Sequence, residues 1–132
     1  MGTSIIVQKL KKNVYNDMEL AEKYYSLLSE INNLKLTTRE IQLVAFTAIK
    51  GNISLANVRD EFCRTYNSTS PSINNMISKM KKLGVFIKEN SRVKVNPIIA
   101  IDFKKDLTLE IKLVHETSIN DIEGMDNQKD VH

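Results

Sequence analysis

The chain has a single cysteine, Cys63, in 132 residues. One thiol excludes an intramolecular disulfide framework and any Cys-rich zinc module, and it fits a reducing, intracellular compartment. Glycine is also scarce: Gly2, Gly51, Gly84 and Gly124 stand alone, so the sequence has no phosphate-cradling glycine loop. Histidine occurs only at His115 and His132, at or beyond the edge of the expected folded region. Cys63 reads as a small buried filler beside Phe62, not as a nucleophile. Without convergent nucleophiles, bases or metal ligands, no enzymatic activity, cofactor, metal or small-molecule substrate is expected. No apolar run approaches the roughly 20 residues of a membrane span. The stretch Ile5-Ile6-Val7 is broken at once by Gln8, Lys9, Lys11 and Lys12, unlike a secretory leader. The expectation is a cytoplasmic protein with no membrane partner.

What is present fits one globular domain, with 42% apolar and 27% charged residues. The net charge of +3 is unevenly spread: residues 1–115 carry a net +7 and residues 116–132 a net −4. The expected organisation is a basic domain over 1–115 followed by an acidic, disordered tail over 116–132. Such a tail either solubilises the chain or covers the basic face in competition with a ligand.

Local signals divide the domain into elements. Ile5 to Lys12 is β-branched and suggests a strand. Asn16 with Glu19 offers a capping pair, and Leu20, Ala21, Tyr24, Leu27, Leu28, Ile31 and Leu34 then recur at helical spacing. Thr37-Thr38-Arg39-Glu40 is a second capping box, opening a helix that stops at Gly51. Its apolar side chains fall on two sides: Ile41, Val44, Ala45 and Ala48 on one, Leu43 and Phe46 on the other. Both sides must be covered, one by the helix-turn-helix core and the other by the helix carrying Tyr24, Tyr25 and Leu28, from the same chain or from a second copy in a homodimer. Ser54 is the expected cap of the next helix, with Leu55, Val58, Phe62 and Tyr66 on one face and an end near Asn67. Ser70 is the expected cap of a further helix, with Pro71 at its first position and an end at Gly84. The period then changes to two through Val85–Glu89 and Arg92–Val95 around Asn90-Ser91, which predicts a hairpin. Alternation at Leu107, Leu109, Ile111 and Leu113 predicts a last strand over 107–114.

Three short helices followed by a basic hairpin, spanning residues 37–97, resemble the winged helix-turn-helix family. The resemblance rests on the capped helix from Thr37, the helix from Ser54, the helix opened by Ser70-Pro71 and the hairpin Val85–Val95. It implies an α+β fold, with a three-helix core and a β-hairpin wing, extended here by an N-terminal strand and helix (5–34) and the C-terminal strand. It also implies double-stranded DNA as partner, read in the major groove by helix 71–83 and gripped by the wing 85–95. In a dimer, two such helices would stand about one DNA turn apart.

The residue types suit that role. Ile73, Met76, Ile77, Met80 and Leu83 fall within one arc of roughly 120°, while Asn75, Ser78 and Lys82 lie opposite, flanked by Asn74, Lys79 and Lys81. Asn can pair with an adenine edge, Ser donates to bases or phosphates, and Lys neutralises phosphate charge. Ser70 and Ser72 add donors at the helix start, and Lys88, Arg92 and Lys94 extend the basic character along the hairpin. From Pro71 to Lys105 the chain holds eight basic residues against two acidic ones, its most basic stretch. Lysine on a helix face is also an ordinary solvated surface. Asn74, Asn75 and Ser78 speak more strongly, because all three are mediocre helix formers. The expected DNA-contacting set is Ser70, Ser72, Asn74, Asn75, Ser78, Lys79, Lys82, Lys88, Arg92 and Lys94, in a transcriptional or replication regulator. Winged helices also serve as docking modules, and the abundance of Lys, Asn and Ile is similar to that of small proteins of bacterial viruses. A protein-interaction or virion-assembly component is therefore the competing expectation.

Overall fold

Both early helices begin where a short polar side chain takes over an amide that the helix leaves orphaned. The computed structural model describes residues 4–6, 16–106, 108–110, 112 and 114. Helix α1, Asp17–Ile31, opens on a reciprocal box: Asn16 Oδ1 accepts from the Glu19 amide at 2.7 Å and Glu19 Oε1 accepts from the Asn16 amide at 3.1 Å. Helix α2, Thr38–Lys50, opens the same way through Thr37 and Glu40 and ends at Gly51, whose φ of 92° a side chain would strain.

The next two helix starts differ from expectation. Helix α3, Ala56–Tyr66, follows Leu55 without a side-chain cap. Ser54 is turned away from it, its hydroxyl lying 2.6 Å from Asn52 Oδ1 and 3.1 Å from the Ser91 carbonyl oxygen. Helix α4, Ser70–Lys82, is capped by Thr69, whose Oγ1 accepts from the Ser72 amide at 3.3 Å. Ser70 is thus the first residue of the helix, not its cap. The β-branched Thr69 holds the extended backbone that a cap requires, and Pro71 one place later still has no N–H to leave orphaned.

Strands β1, Phe86–Glu89, and β2, Arg92–Val95, pair antiparallel from Phe86↔Val95 to Glu89↔Arg92. Asn90 and Ser91 both take positive φ, 53° and 68°, as a two-residue hairpin turn matched to strand twist demands. The outer edge of β2 is paired as well. The Ile53 amide donates to the Val93 carbonyl at 2.9 Å, and the Val93 amide donates to Asn52 Oδ1 at 3.0 Å, so the α2–α3 connection satisfies that edge. The architecture is α+β: four helices and one two-stranded antiparallel hairpin.

Helix α2 is the centre of the core, with Leu43, Val44, Ala45, Phe46 and Thr47 buried in succession. α1 packs against it, and α3 meets the side carrying Phe46 through Phe62 and Tyr66, so both apolar sides are covered within the chain. Phe46 stands edge-on to Phe62 at 5.3 Å between ring centroids. The segment after β2 folds back over α1. There Tyr25 Oη donates to the Ile99 carbonyl at 2.8 Å, and Phe103 packs against Tyr24 and Tyr25.

Some expected core positions lie outside it. Leu27 and Ile31 are 39% and 53% exposed, and Tyr25 takes the buried place on α1. Leu83, the C-cap of α4, is also exposed. Of the expected N-terminal strand, Ile5 and Ile6 are exposed without regular structure, and the remainder lies outside the described residues. Of the expected strand 107–114, residues 108–110, 112 and 114 are exposed with no strand assigned; the others, like the tail 116–132, lie outside the described residues. Among the described residues, no helix is long and apolar enough to cross a membrane.

Candidate nucleic-acid interface

The turn between α3 and α4 is three residues long and fully specified. Asn67 takes the left-handed conformation at φ 53°, its amide and that of Ser68 donate back to the Cys63 carbonyl, and Thr69 caps α4. This fixes the rotation of α4 about its axis. Ile73, Met76, Ile77 and Met80 are buried, and every other residue from Ser70 to Lys82 is exposed. The exposed face contains no acidic residue.

Ser70, Ser72, Asn75, Ser78 and Lys82 stand on this face as expected, and Lys81 joins them. The two remaining members on α4 are already engaged. Lys79 Nζ donates to both Glu40 carboxylate oxygens, at 2.9 and 3.1 Å, tying one flank of α4 to the start of α2. Glu40 thereby serves two helices, because the same carboxylate closes the α2 cap through the Thr37 amide. Burial works against its charge, but the Thr37 amide and the Lys79 ammonium outweigh burial and hold the Glu40 pKa below its ordinary value. Asn74 occupies the opposite flank, roughly 140° from Lys79 at 100° per residue. Its Oδ1 accepts from Arg59 Nη1 of α3 at 2.8 Å.

The hairpin is less uniformly basic than its composition suggests. Alternation puts Ile87, Glu89, Arg92 and Lys94 on one side and Lys88 on the other with Phe86 and Val93. Lys94 is paired to Glu89 at 2.7 Å and is half-buried. That hydrogen bond lowers the pKa of the Glu89 carboxyl. Lys88 and Arg92 remain exposed at the tip. The basic surface therefore comprises Lys81 and Lys82 on α4 and Lys88 and Arg92 on the hairpin. Lys79 and Lys94 are members of ion pairs.

Sequence reading missed Arg59. Its Nε donates to the Ile53 carbonyl at 3.1 Å while Nη1 reaches Asn74, so it braces the α2–α3 connection against α4. Helical spacing separates Arg59 from the buried Val58 and Phe62, but no local signal says which element its side chain meets. Comparison of the chain with protein-family models, curated proteins and solved structures found no match.

Proposed function

We propose that this chain is a non-catalytic double-stranded DNA-binding protein of the winged helix-turn-helix type, acting as a transcriptional or replication regulator. α4 would enter the major groove, presenting Ser72, Asn75 and Ser78 to base edges, with Lys81, Lys82, Lys88 and Arg92 on phosphates. The observation that carries this reading is the acid-free, exposed outer face of α4, held in a fixed rotation by the three-residue turn after α3. The layout of four helices and a hairpin is compatible with a winged helix, and the Ile53 pairing with β2 supports it by bracing the hairpin next to α4.

The test is a salt titration of binding to random-sequence duplex DNA by the full chain and by a Lys81→Ala, Lys82→Ala, Arg92→Ala variant. Binding should fall linearly on a log–log plot, and the variant's slope should drop by about one unit per lost phosphate contact. Absence of wild-type binding at low salt would remove the proposal. A second reading, a protein-docking or assembly module, draws on one observation: Leu27 and Ile31, one helical turn apart on α1, are both exposed.

A further inference from the structure

The Arg59–Asn74 pair determines what chemistry the α3-side flank of α4 can recognise. A guanidinium only donates, so the Asn74 atom facing Arg59 Nη1 at 2.8 Å is its carbonyl oxygen, and the amide NH2 is turned away. Arg59 is itself fixed by the bond from Nε to the Ile53 carbonyl, and no carboxylate pairs with it among the described residues. An unengaged Asn offers one acceptor and one donor, which match the N7 and N6 of adenine. Asn74 has one of the two lone pairs of its oxygen taken by Arg59, and that oxygen is turned toward the guanidinium. Its NH2 and the remaining guanidinium N–H groups then form a set of donors.

We propose that Arg59 and Asn74 act as one donor-rich unit that selects guanine, whose major-groove edge offers the two acceptors N7 and O6. Arg59 is the specificity-determining partner, and it also positions Asn74. The inference rests on the DNA-binding reading above. It separates Asn74 from Asn75, which has no such partner among the described residues and keeps both acceptor and donor for an adenine edge.

The experiment is selection of bound sites from a randomised duplex library by the full chain, by Arg59→Ala and by Asn74→Ala. Thermal melts of each protein accompany the selections. Asn74 is exposed, so its variant keeps the fold even if loss of the Ile53 brace weakens Arg59→Ala. Wild-type sites should share a guanine at one position, and each variant should lose preference for it by roughly tenfold or more without a matching loss on sites lacking that guanine. If both variants weaken all sequences equally, the pair contacts phosphate, and the guanine assignment is overturned while DNA binding stands. A wild type that binds with no guanine preference, or with an adenine dependent on Asn74, overturns it equally. Failure of the wild type to bind any duplex removes the DNA-binding reading and this inference with it.

Discussion

Helices α2 and α4 have the same length, 13 residues, and each is capped by a threonine, yet they play opposite parts. α2 is enclosed: five consecutive side chains, Leu43 to Thr47, are buried, a run that no single helix face can hold. α4 buries one stripe of four and leaves the rest to solvent. Stability therefore resides in α2 and presentation in α4. The two meet at the Lys79–Glu40 pair, where a lysine of the presenting helix strengthens the cap of the enclosed one.

The sharpest way to break this contrast is to truncate a large side chain in α2. Phe46 is 2% exposed and packs against Phe62 and Tyr66. Phe46→Ala should cost about 3–5 kcal/mol in urea denaturation, whereas Asn75→Ala on the outer face of α4 should stay within about 0.5 kcal/mol. Similar losses at both sites would show that α4's outer face is not a free surface.

The contrast also explains how much of the molecule was legible in its sequence. Caps at Asn16 and Thr37, the stop at Gly51 and the Asn90-Ser91 turn are local, each fixed by residues a few places apart, and they lie where the pattern places them. Ser54 and Ser70 misled because a serine before a helix is only a candidate cap. Asn52 and Ser91 hold the first hydroxyl, and Thr69 precedes the second. The outer face of α4 was legible from periodicity, but the commitments of its flanks were not. Lys79 is held by a residue 39 positions away and Asn74 by one 15 away, and neither separation leaves a trace in helical spacing. Composition likewise counted Lys94 as free charge, although cross-strand register brings it to Glu89.

A gentler probe of the enclosed helix is Thr47, fully buried with a hydroxyl oxygen that has no hydrogen-bond partner among the described residues. Thr47→Val keeps the shape and removes the unsatisfied group, and it should raise stability by about 1 kcal/mol. A destabilised Thr47→Val protein would mean that the hydroxyl has a partner in solution.

The smallest effect is expected at the junction. The Glu40 pKa is lowered on folding, so its ionised form contributes stability that is fully present above the ordinary value of 4.5 and is lost as pH falls through the folded-state value. Lys79→Met should therefore cost up to about 1 kcal/mol at neutral pH, and the gap from wild type should close as Glu40 protonates. Urea midpoints measured across that acid range check this, and a gap independent of pH would show that the pair contributes nothing to the α2 cap.

The division between an enclosed and a presenting helix is tested most directly by measuring folding stability and the salt dependence of duplex DNA binding on the same Lys81→Ala, Lys82→Ala, Arg92→Ala protein. Unfolding should stay within about 0.5 kcal/mol of wild type, together with a salt slope lower by about one unit for each phosphate contact removed. A variant that binds DNA with the wild-type slope, or a wild type that binds none at low salt, would contradict it.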